Sequence, residues 1–98
     1  MSAFSPKTTS EVIDLTVNFT YLLSPGETIS SATVYAAVLN GVDPSPGSLL
    51  FGVPSIVASL VTQRLRTGVA NTTYALSFGA LTSSSQYFIE THTIAVTA

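Results

Sequence analysis

Two residues of one segment invite a catalytic reading. In "QYFIETHTIAV", Glu90 and His92 stand two positions apart, the spacing that sets both on one face of a strand. A carboxylate beside an imidazole is the orienting half of a serine–histidine–acid arrangement, and serine is abundant in this chain. The nucleophile has no signature, however, because G-x-S-x-G does not occur. A single histidine and the absence of cysteine exclude a multi-histidine or thiolate metal centre. Asp43, in "NGVDPSPGS", offers one carboxylate where calcium takes about six to eight oxygens. The expectation is a protein that is not an enzyme and uses no cofactor or metal, with His92 at an edge or facing solvent.

Residues suited to binding are easier to find. Arg64 and Arg66, in "LVTQRLRTG", hold two of the three cations and share one strand face. They read either as a docking pair for an acidic partner or as charges that guard a sheet edge. "FSPKTT" places Phe4, Pro6 and Lys7 ahead of any periodic segment, and proline keeps such a stretch extended. An extended arm of this kind can lie across a neighbouring subunit with Phe4 as its anchor. The irregular loop "NGVDPSPGS" adds Asp43, Pro44 and Pro46 as partner-contact candidates. Asp14 and Glu11 are expected to be solvated or paired with Lys7.

The elements that must carry these residues are strands. "VIDLTVNFT" alternates, with Ile13, Leu15, Val17 and Phe19 on one face. Pro25-Gly26 ends it in a turn, and a second strand runs over Ile29 to Leu39. Leu49 to Phe51 reads as a short piece limited by Pro54, and Ile56 to Ala58 as a separate one. Leu60 to Arg66, Tyr74 to Ala80 and Gln86 to Val96 complete the set, with a tight hairpin at Ser83 to Ser85. The last strand has no purely apolar face, which predicts a bulge within it. No segment has a useful helical period. The fold class is all-β, a single immunoglobulin-like antiparallel β-sandwich of about seven strands. Residues 1–10 form an extended arm and residues 11–98 the sandwich. "GVANTTYALSF" sharpens this, because a polar turn, a tyrosine and an alternating strand match the tyrosine corner, with Tyr74 as the corner residue.

Composition narrows the partners. Charged residues make up 8% of the chain, against about 25% in an average soluble domain. Such a surface repels its copies weakly and suits a protein packed against others. Net charge is −2 with three cations, so no basic patch forms for nucleic acid. No apolar stretch reaches membrane-spanning length, and no membrane partner is expected.

"PKTTSEVIDLTVNFTYLLSPGETISSATV" resembles the start of a family of small tailed-phage virion proteins, described as fiber–tail adaptors or immunoglobulin-like phage structural proteins. The matching positions are Pro6, Lys7, Glu11, Val12, Asp14, Leu22, Gly26, Glu27, Thr28, Ile29, Ser30, Ser31 and Ala32. "TGVANTTYALSF" is similar to the family's corner, with Asn71 in place of its second glycine. The middle, Asn40 to Pro54, departs from the pattern, and the family's frequent tryptophan on the second strand is absent. The resemblance implies a virion structural protein, made in a bacterial cytoplasm, that joins tail and fiber or head and tail by contacts with other virion proteins. A homo-oligomer within a symmetric assembly is expected. A capsid cement or decoration protein is the alternative. A carbohydrate-binding module, with Tyr21, Tyr35 and Tyr87 as its aromatics, is a third reading.

Overall fold

The computed structural model describes residues 2–4 and 6–98. Its strands are β1 (Ser2–Ala3), β2 (Lys7–Thr8), β3 (Ile13–Asn18), β4 (Ile29–Asn40), β5 (Leu50–Val57), β6 (Leu60–Leu65), β7 (Thr72–Thr82) and β8 (Tyr87–Thr97). Two short 3-10 turns, Thr20–Leu22 and Pro46–Leu49, complete the described elements. The protein is all-β. One sheet runs β1-β8-β7-β4, with β2 also on β8, and the other runs β3-β6-β5. All pairs are antiparallel except those of β1 and β2, which lie parallel to β8.

Alternation explains which faces meet. Leu15 and Val17 of β3 and Val61 and Leu65 of β6 are buried against Tyr74, Leu76, Phe78 and Ala80 of β7 and Ile94 and Val96 of β8. Phe19, Ile29 and Leu49 fill the ends, so both sheets share one core. Each fully buried large side chain contributes about 1.5–3 kcal/mol of transfer free energy.

Two expectations are corrected. The segments around Pro54 form one strand, β5, rather than two. Its pairing with β6 is interrupted between Phe51 and Ser55, where Gly52 adopts φ 77° and Pro54 needs no ladder bond. The buried Gln63 repairs the gap: its Nε2 donates to the carbonyls of Arg64 at 2.9 Å, Gly52 at 3.2 Å and Phe51 at 3.4 Å. The second correction concerns β8, which has no bulge. Its register with β7 is continuous from Thr72↔Val96 to Leu81↔Tyr87. The polar residues on its inner face are accommodated instead by partners. Glu90 accepts hydrogen bonds from the Tyr21 hydroxyl, and His92 packs against the rings of Phe4 and Phe78.

The Pro25-Gly26 corner is a type II turn. The Glu27 amide donates to the Ser24 carbonyl at 2.9 Å, and Gly26 takes φ 82°, a value only glycine adopts freely. Glu27 then fastens the turn to the β7–β8 hairpin. Its carboxylate accepts from the Ser24 amide at 2.9 Å, the Thr82 hydroxyl at 2.6 Å and the Ser84 hydroxyl. At the opposite end, the Tyr74 hydroxyl accepts from the Val69 amide at 2.9 Å and donates to Asp43 at 2.6 Å. Asn71 takes φ 60° in the same turn, consistent with its stand-in for glycine.

Tyr74 is fully buried, and its hydroxyl satisfies two groups at once. Tyr74→Phe should therefore lower unfolding free energy by about 1–3 kcal/mol, measured by urea denaturation, with native far-UV dichroism retained.

Candidate functional site

The two residues singled out for catalysis, Glu90 and His92, share one open cleft of about 500 Å³ with Tyr21, Leu22, Phe88, Ile89 and Thr91. Both Glu90 oxygens accept from the Tyr21 hydroxyl, and this hydrogen bond is the main cause that raises the Tyr21 pKa above its ordinary value. His92 stacks at 5.1 Å from Phe4. Among the described residues that line the cleft, the one hydroxyl side chain besides Tyr21 is Thr91.

The arm lies on its own domain. Ser2↔His92, Ala3↔Thr93, Lys7↔Val96 and Thr8↔Thr97 are in register, and the Phe4 amide donates to the Thr93 carbonyl at 2.8 Å. The half-buried Phe4 ring meets Phe78 edge-on at 6.3 Å. Lys7 is 1% exposed, and its Nζ donates to the carbonyls of Thr8 and Thr67, each at 2.6 Å. Burial pushes its pKa below the usual lysine value, with Glu11 opposing. Glu11 in turn accepts from the Thr8 amide at 2.7 Å. Phe4 and Lys7 are thus engaged within the chain, while Pro6 is exposed.

The loop candidates are divided in the same way. Asp43 accepts from the Ser45 amide at 2.8 Å and from Tyr74, so it holds the loop against the tyrosine corner. Pro46 starts the second 3-10 turn and is half-buried, whereas Pro44 is exposed.

Arg64 and Arg66 do come together with other groups on the outer face of the smaller sheet. Arg64 makes a two-pronged contact with Asp14, at 2.8 and 3.2 Å, because β3–β6 register sets the two directly opposite. Asp14, expected to be solvated or paired with Lys7, is half-exposed and paired with Arg64 instead. The Arg66 guanidinium sits 4.4 Å from the Phe51 ring centre. Phe51 and Val53, the latter 89% exposed, border a shallow cleft of about 300 Å³ with Asp14, Thr62 and Arg64. Phe51 and Val53 escaped sequence reasoning because the strand that carries them continues through a proline.

The outer face of the larger sheet is different in kind. It presents Thr33, Tyr35, Ala37 and Leu39 from β4 and Tyr87 and Ile89 from β8, all exposed, and no charged residue. Tyr87 crosses β7 over Gly79, where any Cβ would collide with its hydroxyl, and shares a 3.2 Å hydrogen bond with Thr33. Tyr21 belongs to the cleft on the inner side of β8, so the three tyrosines considered for carbohydrate do not share one surface.

A family model described as podophage GP4 fiber-tail adaptor protein gp77 matches residues 7–97. The chain belongs to this family. The match spans every strand from β2 to β8, so it covers the tyrosine corner, the Glu27 clamp and both outer faces of this adaptor family member. None of the curated proteins compared with the chain matches it.

Two expected outcomes follow from the contacts above. Phe4→Ala should cost about 1–3 kcal/mol, below the ~3–5 kcal/mol of a fully buried phenylalanine, and should speed amide exchange at Thr93 and Val96. The hydrogen bond to Arg64 lowers the Asp14 pKa, and those from Ser84, Thr82 and the Ser24 amide lower that of Glu27. Both carboxyls therefore bind protons more weakly folded than unfolded. Their stabilisation is present above the ordinary carboxylate range and is lost as pH falls through the depressed values. Asp14→Asn with Glu27→Gln should flatten the acid limb of a melting-temperature profile, most clearly below pH ~4.

Proposed function

We propose that the chain is a virion component that joins the tail to a fiber by protein–protein contacts, using the two outer faces of an immunoglobulin-like sandwich. The family match over residues 7–97 carries this reading. A joining element needs two surfaces that different partners can tell apart, and the two sheets supply them on opposite sides. The smaller sheet displays Arg64, Arg66, Phe51 and Val53, and arginine and phenylalanine are residue types enriched at interfaces. It suits a partner surface with an acidic group. The larger sheet displays an uncharged, tyrosine-bearing face that suits a partner equally free of charge. Pro6 and Pro44 are exposed at the borders, on segments that Lys7 and Asp43 hold in place.

The immunoglobulin-like reading is supported by strand order. β3-β6-β5 against β4-β7-β8, with the N-terminal strands beside β8, follows the two-sheet connectivity of such domains, and Tyr74 occupies their corner position. The protein works by binding rather than catalysis, is made in the bacterial cytoplasm and ends in the virion. Quantitative mass spectrometry of purified particles tests the placement. A copy number far below that of the major capsid protein is expected, and parity with it would favour the cement reading instead.

Arg66→Glu with Val53→Glu alters exposed positions and leaves the Arg64–Asp14 pair intact. Incorporation into particles should fall about tenfold, equivalent to ~1.4 kcal/mol, while the melting temperature stays close to wild type.

A further inference from the structure

The three asparagines of the chain are not held alike. The Asn18 side-chain oxygen accepts from the Thr20 amide at 2.9 Å, the Thr20 hydroxyl at 2.6 Å and the Ser59 hydroxyl at 3.3 Å. The main-chain amide that follows it, of the fully buried Phe19, donates to the Ser59 carbonyl at 2.9 Å. Asn71 sits in the tyrosine-corner turn at φ 60°, and the next residue, Thr72, is buried and branched at Cβ. Asn40 has neither form of protection. It is the exposed last residue of β4, just past the register shift that follows Val38. Neither its side-chain amide nor the main-chain amide of Gly41 makes a hydrogen bond to the described residues. The glycine is required where it stands. Gly41 has φ 102°, and a Cβ there would lie 2.8 Å from the Thr72 hydroxyl and 3.0 Å from the Asn71 carbonyl. The close turn after β4 therefore puts the least obstructed amide nitrogen a chain can offer directly after an exposed asparagine.

We propose that Asn40 is a self-modification site, at which the folded protein converts its own asparagine to aspartate and isoaspartate through a cyclic imide with Gly41. The Gly41 nitrogen gives its proton to a base from solvent and attacks Cγ of Asn40. A bond forms between that nitrogen and Cγ, the bond from Cγ to Nδ2 breaks, and ammonia leaves with a proton from water. One water then opens the five-membered ring. Cleavage between Cγ and nitrogen yields aspartate, and cleavage at the original peptide bond routes the chain through Cγ and yields isoaspartate. No oxidant or cofactor enters the balance. The product adds one carboxylate to a chain of net charge −2, close before Asp43 in sequence. In the isoaspartyl form one more carbon enters the main chain where β4 leaves the sheet. Both changes fall on the loop that Asp43 ties to Tyr74 at 2.6 Å and that exposes Pro44. The site does not depend on the identity of tail or fiber partners.

The test is to age the full chain in mildly alkaline buffer and follow it by ion exchange and peptide mass spectrometry, with an enzymatic isoaspartyl assay. An acidic species heavier by nearly one mass unit should accumulate, confined to the peptide that holds Asn40, at a rate that rises with pH. Conversion at Asn40 should exceed that at Asn18 by about tenfold or more, and should stay within about tenfold of the rate in urea, where no fold protects it. Asn40→Gln would need a larger ring for the same attack and should give no acidic species, with native dichroism and melting temperature. Asn40→Ser, which has no amide to lose, repeats the test at the same exposed position. An acidic species that persists in both variants overturns the proposal. So does a folded chain whose Asn40 stays intact while the urea-unfolded chain converts, since the end of β4 would then be protecting it.

Discussion

A β-sheet leaves a row of unpaired amides and carbonyls along each edge, and those groups must meet water, a side chain or another strand. Much of this chain is organised by that constraint. Ser2–Ala3 and Lys7–Thr8 follow β8 in parallel, so a segment with little periodicity becomes part of the sheet. Phe4 supplies the apolar contact that keeps it there, and Lys7 bonds two carbonyls that strand pairing leaves over. On the smaller sheet the constraint is met by interrupting the edge, with Gln63 taking up the carbonyls released at the β5 irregularity. β4 meets it in neither way, which sets its chemistry apart.

The scarcity of charge has a structural counterpart. All five carboxylates are engaged: Glu11 with the Thr8 amide, Asp14 with Arg64, Glu27 with the β7–β8 hairpin, Asp43 with Tyr74 and Glu90 with Tyr21. The cations are engaged as well, Lys7 with carbonyls, Arg64 with Asp14 and Arg66 with the Phe51 ring. Charges here fasten turns and strands instead of spreading over the surface. The consequence is an exterior of hydroxyls, small side chains and tyrosines, which costs less to desolvate against another protein than a charged exterior would. That is the physical link between an unusual composition and a joining role.

The tyrosine corner and the Glu27 clamp secure opposite ends of β7. Tyr74 ties its start to the preceding turn and, through Asp43, to the loop after β4. Glu27 ties its end to the turn before β4. The central strand of the larger sheet is thus fixed at both ends to the same neighbour. Its outer face stays flat enough for Tyr87 to lie across Gly79.

Strand identity was legible because alternation is local: Leu15 and Val17, or Tyr74, Leu76 and Phe78, mark their faces without reference to anything distant. The Pro25-Gly26 turn, the positive φ at Asn71 and the corner role of Tyr74 were readable for the same reason. Pairing was not. Asp14 meets Arg64 across 50 positions, Glu27 meets Thr82 across 55 and Lys7 meets Thr67 across 60. β5 continues through Pro54 only because Gln63, on the next strand, satisfies the carbonyls of the gap. A chain determines by itself which residues can line a face or make a turn, since backbone geometry sets that within a few positions. Which charge finds which partner, and which edge is left open, depends on the register of segments distant in sequence, and only the assembled sheets decided it.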